Sequence, residues 1–173
     1  NNMRPNIITP TKPKIPEVNE INLSDNNKIY TFHTTRTDLV SLYLIIPLGY
    51  KFANNPVIGK FAWEMIKSGT KQKTAIQIAE EINYYGASID ISVGPDSVNI
   101  SLIALNNLFI HALNLLFELL TDPTYPKKEL ILQKQETLGI LKIKNKRVDF
   151  IANKNFFKLL FGNNHPYGKH IKY

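Results

Sequence analysis

Apolar and polar residues alternate along several short segments of this chain, and a period of two predicts β-strands. The pattern covers residues 28–34, 39–48, 88–93 and 98–104. Between 39 and 48 apolar residues occupy both faces, which predicts a central strand covered on both sides. Between 88 and 93 they occupy one face, so the other face is expected to contact water. The Gly-Pro-Asp-Ser sequence at 94–97 predicts a turn that joins the last two strands into a hairpin.

Other apolar residues follow helical spacing, and the segments that carry them have start and stop signals. Thr74 and Gln77 form a capping-box pattern, and Gly86 is placed to close that helix in the left-handed conformation. The predicted helices cover residues 56–68, 75–85, 108–120, 126–146 and 150–160. This order of elements predicts an α+β domain, in which helices cover an antiparallel sheet.

The first twenty residues carry four prolines, at positions 5, 10, 13 and 16. Such spacing excludes a helix or a central strand, so residues 1–20 are predicted to form an extended arm or a disordered leader. Residues 21–173 are predicted to form one domain that is incomplete at its C-terminal end. A chain of 173 residues is long enough to bury a core.

The composition, 43% hydrophobic and 20% charged, is typical of a soluble globular protein. No stretch is apolar enough over about twenty residues to predict a membrane span. The net charge of +7 is densest at 142–147, late in a long predicted helix, where basic residues oppose the helix dipole. No recognition motif accompanies this charge, so we expect no nucleic-acid partner.

Few side chains in the sequence suit direct catalysis. The absence of cysteine excludes disulfides, thiolate metal sites and cysteine nucleophiles. The four histidines, at 33, 111, 165 and 170, form no pair spaced to bind one metal ion from a single helix. Nucleophile-elbow and phosphate-binding motifs are also absent.

Three segments occur in an order and spacing that resemble a known peptidase family. They are 58–70 (IGKFAWEMIKSGT), 80–88 (EEINYYGAS) and 165–168 (HPYG). Together they resemble the amino-terminal domain of the insulinase/pitrilysin zinc peptidases, the inverzincins, which include mitochondrial processing peptidase. The resemblance covers roughly residues 21–168 and implies the processing-peptidase-like α/β sandwich.

Members of that family carry H-x-x-E-H on the helix before the Gly-Thr pair. Counting back from that pair, the three positions hold Lys60, Trp63 and Glu64. An ammonium group has no lone pair for a metal, and an indole accepts no proton from a metal-bound water. One carboxylate does not hold a catalytic zinc, which needs three protein ligands.

The family's third ligand, a glutamate on a later helix, falls at Gly139 or Ile140 in this sequence. Glu136 lies roughly one helical turn too early. We therefore expect no catalytic residue, no metal site and no hydrolysis by this chain alone. Phe61 and Trp63 are expected either to pack where the metal is lost or to face a partner subunit, with packing favoured.

The resemblance implies a non-catalytic subunit that forms a peptide-binding chamber with a catalytic partner, which carries the zinc. The partner is expected to be a zinc-peptidase subunit or a second copy of the chain. Ser88, Asp90 and Ser92 are candidates for contacting an extended peptide at a sheet edge, or are ordinary solvated strand positions. A structural core-type subunit and a stand-alone peptide-binding module remain alternatives. The compartment stays open, with a bacterial origin and export after signal removal both compatible with the sequence.

Overall fold

The computed structural model describes residues 16–23, 27–34 and 37–168. In this part the elements are two antiparallel sheets, five α-helices and two short 3₁₀ helices. The chain divides into two units, 1–37 and 38–173. In the first unit, β1 (Asn19–Asn22) pairs with β2 (Lys28–Thr31). The predicted arm lies mostly outside the described residues and stays a prediction.

The second unit contains a three-stranded sheet with the order β3-β5-β4. Its strands are β3 (Leu39–Ile46), β4 (Ser88–Val93) and β5 (Val98–Leu105). The helices are α1 (Pro56–Glu64), α2 (Ala75–Tyr84), α3 (Phe109–Thr121), α4 (Lys127–Lys144) and α5 (Val148–Phe161). The predicted α+β class, with helices on an antiparallel sheet, is confirmed.

The hydrophobic core lies between one face of this sheet and the first three helices. The central strand β5 contributes four almost completely buried side chains, and α3 packs against it with its own apolar face. The core residues from these two elements are Val98, Ile100, Leu102, Ala104, Ala112, Leu116 and Leu119. Ile66 of the turn after α1, Ile78 of α2 and Ile89 of β4 complete the same cluster.

The prediction that 39–48 forms a central strand covered on both sides is wrong. β3 pairs only with β5 within the described residues, and its side chains alternate between half-buried and exposed. Tyr43 is 70% exposed and Ile45 is 69% exposed on the face opposite the helices. An apolar residue on a strand therefore does not by itself show which face is covered.

Capping residues in the local sequence determine where the first two helices begin and end. Asn55 Oδ1 accepts hydrogen bonds from the backbone N–H groups of Val57 and Ile58, which caps α1. The capping box predicted at the start of α2 is present. Gly86 follows α2 with φ of +56°, in the left-handed region, as predicted. The helix α1 ends at Glu64, and residues 66–68 form a 3₁₀ turn instead of continuing it.

The long helices α4 and α5 pack more loosely than the rest. Neither contains a buried residue, although both carry many apolar side chains. They follow each other closely, with only residues 145–147 between them. Within the described residues no helix is long and apolar enough to cross a membrane.

Candidate functional site

The face of α1 that the resemblance assigns to metal binding carries an ion pair. Lys60 Nζ lies 2.7 Å from Glu64 Oε1, one turn along the helix, and each side chain is 24% exposed. An ammonium group cannot coordinate a metal, and here it occupies the carboxylate that could. Within the described residues no group of three or more His, Cys, Asp or Glu side chains could hold a metal ion. These residues do not fit a catalytic zinc.

Trp63 and Phe61 face the interior of the domain. Phe61 is buried, and Trp63 is half-buried and packs against the core cluster between the sheet and the helices. Both side chains are therefore packed in the interior, but the expectation that they pack where the metal is lost is wrong. They do not fill the space beside Lys60 and Glu64, which remains open as a cavity.

This cavity lies between α1, the α4–α5 pair and the turn between β4 and β5. It has a volume of about 730 Å³, and Lys60 and Glu64 form part of its wall. Glu136 and Ile140 of α4 also line it, whereas Gly139 does not. The later helix therefore stands opposite the α1 face, as the resemblance implies, but it brings no metal-binding set with it.

The Gly-Thr pair after α1 is the centre of a polar network. Thr70 Oγ1 donates to Glu118 Oε1 at 2.6 Å, and Lys73 Nζ donates to Glu118 Oε2 at 2.7 Å. Lys73 Nζ also lies 2.8 Å from Glu81, which accepts from the Tyr85 hydroxyl at 2.9 Å. The network joins the turn to α2 and α3. This part of the motif is structural, because it ties the turn that follows α1 to two neighbouring helices.

Burial and hydrogen bonds shift the pKa values of the charged groups in this network in opposite directions. Burial alone would raise the pKa of Glu118, but hydrogen bonds from Lys73 and Thr70 outweigh it and hold that pKa below its usual value. Burial would lower the pKa of Lys73, but hydrogen bonds to Glu118 and Glu81 raise it overall. Both groups are therefore held in their charged forms.

The candidate peptide-binding residues lie on β4, which is an edge strand within the described part of the chain. Ser88, Asp90 and Ser92 are all exposed, and Ser88 Oγ donates to Asp90 Oδ2 at 2.8 Å. Lys67 Nζ donates to the backbone carbonyl of Ile89 at 2.9 Å. One backbone acceptor of this strand is thus already bound by a lysine. The role of the three exposed side chains in binding peptides stays a prediction.

A second polar cluster ties the HPYG segment to the β4–β5 turn. The Tyr167 hydroxyl donates to Asp96, which also pairs with Lys51. The Tyr167 ring packs edge-on against Phe161 and His165, with ring centres 5.2 and 5.1 Å away. Sequence reasoning missed this cluster because its members are far apart in the chain; the Pro-Asp turn and the Pro-Tyr turn were the only local signals.

Comparison with known proteins gives no match among family models and none among curated proteins. Solved structures do match. An inactive domain of peptidase M16 from Pseudomonas fluorescens has a TM-score of 0.79 at 22% identity, covering 89% of this chain and 38% of that one. A protease from Helicobacter pylori has a TM-score of 0.74 at 13% identity, covering 90% and 38%.

Pitrilysin matches with a TM-score of 0.71 at 18% identity, covering 91% of this chain and 17% of pitrilysin. The chain thus spans less than two fifths of the length of each of these three proteins. The likeness shows the fold of an M16-type peptidase domain. At the level of the fold, it confirms the resemblance indicated by the motifs.

Proposed function

We propose that this chain is a non-catalytic domain of an insulinase/pitrilysin-type metallopeptidase system. It forms part of a peptide-binding chamber, and a zinc-bearing partner subunit performs the hydrolysis. The observation that carries the proposal is the ion pair between Lys60 and Glu64 on a helix of a peptidase fold. Where the family binds a metal, this chain has two side chains that neutralise each other.

The similarity to an inactive M16 domain supports the same assignment. Active peptidases share the fold as well, so the fold alone does not separate an active chain from an inactive one. What distinguishes an active chain from an inactive one is its chemistry. Hydrolysis by a zinc peptidase needs an open position on the metal and a base that takes a proton from the metal-bound water. We assign the zinc to the partner.

The test uses the complete protein that contains this chain as bait in an extract of its source. The purified complex is assayed for cleavage of an unstructured peptide, with and without a zinc chelator. We expect chelator-sensitive cleavage that follows a co-purified subunit. After the subunits are separated, we expect about one zinc per catalytic subunit and none in the bait, since three protein ligands are needed.

Cleavage by the bait alone, after stringent removal of partners, would contradict the proposal. A stable complex without any chelator-sensitive cleavage would instead identify a structural subunit. Saturable peptide binding by the bait without any co-purified subunit would identify a stand-alone binding module.

A further inference from the structure

The helix α5 has two sides with different surroundings. Phe150 and Phe157 line the cavity. Val148 lies nine residues before Phe157, which places it on the opposite side of the helix, and it is 81% exposed. Leu159 is 86% exposed and lies eleven residues after Val148, close to three turns, so it shares the side of Val148.

This outward side of α5 is apolar along its length. Ile151 and Phe156 are both exposed and lie beside the line from Val148 to Leu159. We call these four residues the outer face of α5. Val148 and Leu159 are the two most exposed large hydrophobic side chains in the described part of the chain. Contiguous exposed apolar surface of this kind marks an interaction site.

Basic residues dominate the chain around the outer face. From 137 to 161 six basic residues accompany one acidic residue, Asp149, which pairs with Arg147 at 2.5 Å. Five lysines remain, and none of them forms a salt bridge with a described carboxylate. They are Lys142, Lys144, Lys146, Lys154 and Lys158. This part of the surface therefore carries a net positive charge.

The positive charge lies next to the outer face. Lys154 and Lys158 follow Ile151 at i+3 and i+7, so they lie along one border of the face. Lys144 lines the same depression as Lys154, at the start of α5, together with the Arg147–Asp149 pair. A partner that covers the outer face therefore also meets unpaired ammonium groups.

Charge and polarity together select the kind of partner. Nucleic acid would neutralise the lysines but leave the apolar outer face uncovered. A two-fold pairing with a second copy would bring the lysines of both chains into one interface. An anionic bilayer surface offers phosphate groups to the lysines and an acyl boundary to Val148 and Leu159, and it requires no complementary groove.

We propose that the outer face of α5 docks on an anionic lipid surface, with the helix lying in the plane of the headgroups. Lysine stems lie along the apolar boundary and keep their ammonium groups at the level of the phosphates. The inference goes beyond the proposed function, because docking requires neither a peptide nor a zinc-bearing subunit. The two proposals fail separately: vesicle binding tests the surface, whereas co-purification and cleavage test the complex.

The experiment sediments the complete protein that contains this chain with phosphatidylcholine vesicles, with and without about one third phosphatidylglycerol. Each lysine at an anionic surface contributes about fivefold in affinity, so we expect the anionic vesicles to bind at least about twentyfold more tightly. Raising the ionic strength from about 0.1 M to about 1 M should weaken binding, since the screening length falls from roughly 10 Å to 3 Å. Absence of binding, or equal binding to both kinds of vesicle, overturns the proposal.

A pair of double variants tests the position of the charge. Lys144→Gln/Lys146→Gln removes two exposed lysines at the start of α5 and should weaken binding about tenfold to thirtyfold. Lys127→Gln/Lys128→Gln is the matched control, because it removes two exposed lysines at the other end of α4, roughly 24 Å away along the helix. It should change the affinity by less than about twofold, since that distance exceeds the screening length. Equal losses in both variants would show that net charge alone attracts the protein, which overturns the proposal.

A second comparison tests the apolar contact. Leu159→Gln should weaken binding about tenfold, because a leucine no longer enters the acyl boundary. Ile76→Gln on α2 is the matched control at a side chain that is 71% exposed, and it should leave binding unchanged. Circular dichroism verifies that each variant folds.

Three further results would overturn the proposal. The first is unchanged vesicle binding in Leu159→Gln. The second is a dimer that Leu159→Gln dissociates, found by sedimentation velocity without vesicle binding, which would identify a second copy as the partner. The third is binding of polyglutamate that is as tight as vesicle binding and insensitive to Leu159→Gln, which would identify an acidic protein.

Discussion

Glu118 is the residue on which the polar contacts of the Gly-Thr turn converge, and its side chain is only 15% exposed. Glu118→Gln would remove the charge that Lys73 and Thr70 both contact. We expect it to lower the free energy of unfolding by about 2 kcal/mol, the typical scale of a charged hydrogen bond. Urea denaturation measures this, with Asp122→Asn as the control at an exposed pair with Lys71, where about 0–0.5 kcal/mol is expected.

The same variant predicts a dependence on pH. Because the folded pKa of Glu118 lies below its usual value, its contribution is present above that usual value and is lost as pH falls through the folded pKa. The stability difference between wild-type and Glu118→Gln should therefore shrink in acid. A difference that stays constant from neutral pH to strong acid would contradict this account.

At the scale of single residues, the sequence predicts features that depend on near neighbours. The Thr74–Gln77 capping box and the left-handed Gly86 are examples, because both are decided within four residues. The bond between Thr70 and Glu118 joins positions 48 residues apart. No local pattern contains that information, since Glu118 in a helix looks like any solvated charge.

At the scale of elements, Lys67 helps to protect the edge strand β4 from association with other chains. Removing the ammonium group in Lys67→Met leaves the Ile89 carbonyl without this donor. We expect a loss of about 1 kcal/mol in unfolding free energy and more association through the strand edge. Urea denaturation measures the first and light scattering at increasing concentration the second.

Lys71→Met serves as the control, because Lys71 is an exposed lysine of the neighbouring turn that pairs with Asp122 instead of the sheet. Equal association of the two variants would show that the loss of any lysine has this effect. The Lys67 contact would then have no specific role at the strand edge.

Whether a segment forms a helix or a strand was easier to predict than which of its faces is buried. The alternation in 88–93 gives β4 correctly, including its wet face. For β3 the alternation is equally clear, but Tyr43 and Ile45 are exposed although both are apolar or aromatic. β1 was not predicted, because four residues of mixed polarity carry too short a pattern.

For the second unit as a whole, the cluster of Tyr167, Asp96 and Lys51 joins the end of the described chain to the β4–β5 turn. Tyr167→Phe removes the hydroxyl that donates to Asp96 and keeps the ring. We expect faster proteolytic cleavage near 162–168. Tyr125→Phe is the matched control at a tyrosine outside this cluster.

Because the pKa values of Asp96 and Tyr167 are shifted, the contact between these two side chains persists over a wide range of pH. Hydrogen bonds from Lys51 and Tyr167 hold the pKa of Asp96 below its usual value of 3.8, so the contact is lost only as pH falls through that lowered pKa. The Asp96 hydrogen bond raises the pKa of Tyr167 above 10.0, so in base the contact persists until pH passes that raised pKa. The difference in protection between wild-type and Tyr167→Phe should therefore stay constant between pH 5 and 9, and a change in this difference would contradict the account.

At this scale the motifs predicted the fold, whereas the site was predicted only in part. Counting back from Gly69-Thr70 led to Lys60 and Glu64, and both line the cavity. The opposite wall required knowing how α4 and α5 lie over α1. Lys144 looked like a residue that offsets a helix dipole, and nothing in its neighbours indicates a cavity.

Different residues of the IGKFAWEMIKSGT segment line the cavity and hold the scaffold, and this decides which substitutions the fold tolerates. An i, i+4 ion pair such as Lys60–Glu64 is worth about 0.3–0.5 kcal/mol, so replacing it costs the fold little. Thr70 and Glu118, a few residues and one helix away, hold the scaffold without touching the cavity wall. Substitutions at Lys60 and Glu64 can therefore change the chemistry of this cavity wall at little cost to folding, and the scaffold would survive them.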